Sequence, residues 1–275
     1  MLLIVFVHYN AKNLYDDYVD YYLDALMSIQ EEKQLIFVST SKLPKDTHKQ
    51  LQDKNIKIIE RKNEGYDFYS YKLAIKSVNT KKFSSILICN DSAFGPFFEL
   101  NTIYKSMQSI NGDIIGLTKS TEETYHLQSY FILFKNSVIH SQAFQKFWEQ
   151  VGIISDRSKV IETYELGLSK FFIKHQFKLN VFCNLDINCS NLIFHSEKKY
   201  LMLRKCFRYL SRGKLTKINE VNPTHYFWRH LITNYNFPFV KRELIDKNPE
   251  NLNISNLPTF IETLTQYPKI LFKRH

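Results

Sequence analysis

The sequence predicts a doubly wound α/β domain. Three observations carry this. Short apolar runs lack the polar alternation of a half-exposed strand, helical patterns separate them, and polar turn clusters follow them.

The run at 2–7 is aliphatic and β-branched throughout, as a strand buried on both faces requires. Tyr18, Tyr22, Leu26 and Ile29 then recur at helical spacing, predicting a helix over 15–29. Strands are expected at 35–39 and 56–59, with a short polar helix at 47–53 between them. The turn Asn63-Glu64-Gly65 precedes a helix over 69–78, and the strand 86–89 runs into Asn90-Asp91-Ser92. Further on, 114–117, 130–134 and 179–182 read as strands, and 142–151 and 164–175 as helices. Beyond 186 the chain turns basic and less periodic. A core over 1–185 and a C-terminal extension over 186–275 are therefore expected.

At 275 residues, 44% hydrophobic and 15% aromatic, the chain can bury a sizeable core. Only 7 Gly and 7 Pro argue against low-complexity stretches. No apolar run approaches the roughly 18 residues of a membrane helix, so a soluble or peripheral cytoplasmic protein is expected. The four cysteines form no CxxC pair or metal spacing, which suits a reducing compartment and leaves a Cys183–Cys189 bridge open.

A net charge of +10 points to an acidic partner. Eight basic residues and no acidic one fall between Lys198 and Lys217, interleaved with Tyr200, Leu203, Phe207 and Leu210 at helical spacing. Such a segment suits an anionic membrane surface or a solvated helix packed by its apolar stripe. Nucleic acid is not favoured, because no zinc-finger or RNA-recognition pattern accompanies the charge.

In a doubly wound sheet, ligands sit beyond the carboxyl ends of the strands. That directs attention to His8-Tyr9-Asn10, Ser39-Thr40-Ser41, the stretch 61–67 and the stretch 90–95. Asn90-Asp91-Ser92 delivers a carboxylate to a strand end, as a Mg²⁺ or Mn²⁺ site beside a diphosphate would need. The same residues also suit a plain turn. Gly65 can take positive φ and let backbone approach a ligand. Asn63 stands beside it, Asp67 just precedes the helix and would also suit an N-cap, and Lys72 is within reach of a phosphate or solvent. Glu165 opens the helix expected over 164–175, as a general base or as a first-turn acid favoured by the helix dipole. His8 and His225 stand near a strand end and a turn, where a lone histidine is commonly structural.

Four stretches, NEGYDFYSYKLAI (63–75), ILICNDSAFGPF (86–97), HLQSYFILF (126–134) and NPTHYFWRHLI with PFVKRELIDKNP (222–232 and 238–249), together resemble the rhamnan synthesis F family of bacterial polysaccharide glycosyltransferases. Tyr69 and Tyr71 depart from the small and aromatic residues of the family pattern.

The resemblance implies a GT-A-like fold, with a nucleotide-binding half followed by an acceptor-binding half. It implies that Asp91 holds a divalent cation (Mg²⁺ or Mn²⁺) and the donor diphosphate, assisted by Asn90 or Ser92. Only one carboxylate stands there, where many such enzymes have two. It also implies Glu165 as catalytic base and a late diphosphate or metal contact for His225, while His8, Asn63, Gly65, Asp67 and Lys72 are the further donor-side candidates by their place near the strand ends.

The expected partners are a nucleotide-sugar donor, a lipid-linked glycan acceptor and the inner face of the cytoplasmic membrane. Rhamnose is the favoured sugar. A UDP-hexose or UDP-galactofuranose donor, or a non-catalytic scaffold of a polysaccharide assembly complex, are the alternatives.

Overall fold

The structure is a computed structural model that describes residues 1–121, 123–185, 189–200, 203, 206 and 222–273. Most of the basic segment 198–217, including Arg204, Lys205, Arg208 and Arg212, lies outside the described residues.

The first half alternates as expected: β1 (Leu2–His8), α1 (Asp17–Met27), β2 (Lys33–Ser39), α2 (Lys45–Asp53), β3 (Lys57–Glu60), α3 (Tyr66–Lys76) and β4 (Ser85–Asn90). There follow β5 (Ala93–Phe94), α4 (Leu100–Ser109), β6 (Ile114–Gly116), β7 (Lys119–Ser120), β8 (His126–Leu127) and β9 (Phe131–Lys135). Then come α5 (Asn136–Ile139), α6 (Gln142–Gln150), α7 (Arg157–Val160), a π-helical turn over Ile161–Leu166, α8 (Gly167–Lys174) and β10 (Leu179–Val181). The last described elements are α9 (Cys189–His195), α10 (Pro223–Tyr226), α11 (Trp228–Tyr235), β11 (Val240–Lys241), α12 (Arg242–Asp246), α13 (Leu257–Thr265) and a 3-10 turn over Lys269–Phe272.

Seven strands form one sheet in the order β10-β6-β9-β4-β1-β2-β3. All pair in parallel except β9, which runs antiparallel between β4 and β6. An apolar run shows that a strand is buried but says nothing of its direction, and so β9 gave no warning of its reversal.

Successive side chains of β1 enter opposite faces, and both faces are buried. Leu2, Ile4 and Phe6 join a cluster with α1 and α4, while Leu3, Val5 and Val7 join one with α3, α6 and α8. This is why the run shows no polar alternation. Beyond residue 222, Phe227, Trp228, Leu231, Phe239 and Val240 complete the same cluster as α1. The tie is a two-stranded antiparallel ladder pairing Val240 with Phe94 and Lys241 with Ala93. Gly95 permits the close approach, because a Cβ there would stand 2.3 Å from the Pro238 carbonyl oxygen, at φ 136°.

Cys89 and Cys183 are buried free thiols, so Cys183 forms no bridge. Among the described residues no helix is long and apolar enough to cross a membrane.

Candidate active site

Parallel register brings strand ends together. His8 pairs with Ser39, Val7 with Asn90, and Ser39 with Glu60. A cleft of about 520 Å³ opens beyond these ends, lined by Asp67, Asn90, Ser92, Gln128, Ser129, Tyr130, Glu165, His225, Lys241 and Arg242 among others.

Asn90 organises the floor of the cleft. Its Nδ2 donates to Asp67 Oδ2 at 2.7 Å, and its Oδ1 accepts from the Ser92 amide at 3.1 Å and the Ser92 hydroxyl at 2.6 Å. The turn expected for this triplet is therefore present, and it also aims Asn90 at Asp67.

Asp67 does not cap its helix. Gly65, at φ 70°, is the N-cap, and Asp67 stands in the first turn with its carboxylate on Asn90. Burial first, and then the neighbouring Asp91 charge, push its pKa up to about 6, against the lowering effect of the Asn90 hydrogen bond.

Asp91 is tied to residues distant in the chain. Its Oδ2 accepts from the Tyr9 amide at 3.2 Å and from Arg242 Nη1 at 3.0 Å. Its carbonyl accepts from Arg242 Nη1 at 2.7 Å and from the Tyr18 hydroxyl at 3.2 Å. Arg242 also donates to the Tyr18 hydroxyl, and its own amide donates to the Ser92 carbonyl at 2.9 Å.

This arrangement counts against the expected Mg²⁺ or Mn²⁺ on Asp91, whose Oδ2 the Arg242 guanidinium already holds and which is not among the residues lining the cleft. A cation at that oxygen would have to share it with the guanidinium, like charge beside like charge. Among the described residues no group of three His, Cys, Asp or Glu could hold a metal ion.

Lys241, next to Arg242, places its Nζ 3.7 Å from the centroid of the Tyr130 ring. Burial pulls its pKa down to about 8, while the charges of Glu165, Asp67 and Glu243 act to raise it.

Glu165 faces the same cleft from another direction, and its Oε1 accepts from the Ser129 amide at 3.0 Å. It does not open a helix as expected. The helical stretch starts at Arg157, where the Asp156 side chain caps the Lys159 amide at 2.8 Å, and Glu165 lies within the π-helical turn. Widened turns of this kind recur at functional sites.

His225 is buried, and its Nδ1 lies 2.8 Å from Glu250 Oε1. It is presented to the cleft by α10, whose N-cap Asn222 accepts from the Thr224 amide at 3.1 Å.

Other expected site residues lie elsewhere. Asn63 and Gly65 line a smaller adjoining pocket of about 370 Å³ with Tyr9, Thr40, Ile153 and Ser155. Arg61 shapes that loop, donating to the carbonyls of Lys62 at 2.7 Å and Tyr66 at 2.8 Å, and its guanidinium lies 5.2 Å from the Tyr69 ring.

Lys72 does not face the cleft. Its ammonium donates to the carbonyls of Glu149, at 3.0 Å, and Val151, where α6 ends with unpaired acceptors. His8 is fully buried under the strand ends, with Nδ1 3.1 Å from Ser39 Oγ and its ring stacked on Phe37. Tyr71, a departure from the family pattern, packs against Phe68 and Trp148 in the core.

Sequence reasoning missed Lys241, Arg242, Tyr130 and Glu250. The adjacent basic pair within PFVKREL was the available signal.

The cleft at the carboxyl ends of the parallel strands thus gathers the carboxylates of Asp67, Glu123, Glu165, Glu243 and Asp246 with the cations of Arg157, Lys241, Arg242 and Lys247. Residues 35–206 match rhamnan synthesis protein F, and the chain belongs to that family. It is 33% identical over 200 residues to virulence protein VirA of Vibrio anguillarum, covering 70% of this chain and 62% of that protein, so it spans less than two thirds of this relative's length. Among solved structures it is similar to S. aureus TarS 1-349. For TarS the TM-score is 0.44 at 10% identity, covering 96% of this chain and 78% of that one. It is also similar to the mannosyltransferase PcManGT of Pyrobaculum calidifontis in complex with GDP-Man and Mn²⁺, with a TM-score of 0.42 at 10% identity, covering 75% and 64%.

Proposed function

We propose that this chain is a glycosyltransferase that moves a sugar, with rhamnose favoured, from a nucleotide-sugar donor to a growing cell-surface polysaccharide. Family membership supports the class. The observation that carries the chemistry is the convergence of Asp67, Glu165 and Lys241 on one cleft beyond the strand ends.

In this reading the reaction is a single displacement with inversion. An acceptor hydroxyl oxygen forms a bond to the anomeric carbon as the bond from that carbon to the diphosphate oxygen breaks. The hydroxyl proton passes to Glu165, which the Ser129 amide holds in place, and the diphosphate leaves with its charge offset by protein donors. A β-linked deoxythymidine-diphosphate L-rhamnose would give an α-rhamnoside. The acceptor is a lipid-linked glycan at the inner face of the cytoplasmic membrane, and the eight basic residues between Lys198 and Lys217 would favour that surface.

A thermal-shift screen of the chain against nucleotide-sugars tests the reading, since a ligand that binds only the folded state raises its melting temperature. One donor is expected to stabilise the protein and to release its nucleoside diphosphate on turnover with a glycan acceptor. A panel with no stabilising member and no turnover would overturn it.

A further inference from the structure

We propose that the donor diphosphate is neutralised by the Lys241 ammonium and not by a divalent cation, so that donor binding is independent of metal. The inference rests on the donor reading above. It begins with the charges in the cleft.

Four cations line it: Arg157, Lys241, Arg242 and Lys247. Arg242 is committed to Asp91 at 3.0 Å and to Tyr18. Lys247 is exposed and pairs with Glu243 at 3.4 Å within its own helix. Arg157 is exposed at the rim. Lys241 differs from all three. It is partly buried, and among the described residues its one close partner is the face of Tyr130 and no carboxylate oxygen comes within 4.0 Å of it.

A desolvated ammonium without a direct counter-ion favours an anion of its own. The more distant Glu165 and Asp67 keep it charged without occupying it. The ladder pairing of Lys241 with Ala93 fixes its backbone beside the strand-end turn 90–92. The same ladder delivers Arg242 to Asp91, where a metal-bound carboxylate was expected. One dipeptide thus sets a guanidinium on Asp91 Oδ2 and an ammonium in the cleft.

Isothermal titration of the full chain with UDP, dTDP and GDP, each in EDTA and again with Mg²⁺ or Mn²⁺, separates the possibilities. At least one diphosphate is expected to bind in EDTA, with affinity changed less than threefold by metal. Lys241→Met should weaken it tenfold or more, and Lys241→Arg should retain most of it, with circular dichroism of both variants matching the parent. Binding that needs metal, or that Lys241→Met leaves intact, overturns the inference and leaves the donor reading standing. Should no nucleoside diphosphate bind under any condition, the donor reading itself falls and this inference with it.

Discussion

Arg242 Nη1 lies 3.0 Å from Asp91 Oδ2, joining residues 151 apart in the chain. Both side chains are largely buried, 16% and 11% exposed. Removing one partner of such a pair strands the other charge. Arg242→Met should therefore cost about 3 kcal/mol in urea unfolding. Asp91→Asn in the same background should recover part of that loss, since the stranded carboxylate is gone. A loss in the double variant equal to the sum of the two single losses would show that the two residues touch without energetic coupling.

Glu165→Gln retains the shape of the side chain and an acceptor oxygen for the Ser129 amide, but it cannot take a proton. Turnover should fall by roughly 10²–10⁴-fold, with donor affinity little changed. Weakened donor binding at normal turnover would move Glu165 from proton transfer to donor recognition.

Asp67 carries a pH signature. Its folded pKa is raised from 3.8 to about 6, so between those values the folded chain binds more protons than the unfolded one. Its contribution to stability is full below pH 3.8 and is lost as pH rises towards 6. Asp67→Asn should flatten that decline in melting temperatures recorded at pH 4, 5, 6 and 7. A parallel decline in the variant would assign it to other groups.

At Gly95 the positive φ and the 2.3 Å approach to the Pro238 oxygen act together. Gly95→Ala should destabilise the fold by at least about 2 kcal/mol, because strained backbone and overpacking add. A chemical denaturation curve superimposing on the parent would show that 238–239 moves aside freely.

The sheet was largely legible in the sequence because β1, β2 and β4 are buried on both faces and had to be written as unbroken apolar runs. Asn90 and Asp67 were legible because strand ends and helix starts concentrate polar turn residues. What escaped was set by pairings between distant segments. Lys241 and Arg242 reach the site only through the ladder with Ala93 and Phe94, and nothing local in PFVKREL announces that partner. Lys72 looked suited to a phosphate, yet the carbonyls at the end of α6 claim it. Glu165 looked like a helix start, whereas Asp156 caps the helical stretch well upstream.

The ladder between β5 and β11 also sets an order of events during synthesis. All seven strands of the main sheet lie before residue 182, so a nascent chain can assemble that sheet while the Lys241-Arg242 dipeptide is still untranslated. Until then Asp91 sits at its strand end without its cation, and the first-made sheet holds an unfinished pocket. The Lys241 and Arg242 charges of the cleft therefore arrive late, with the distal segment. A ribosome stalled before residue 240 would hold a chain with all seven strands of the main sheet made and the Lys241 and Arg242 side chains of the cleft absent.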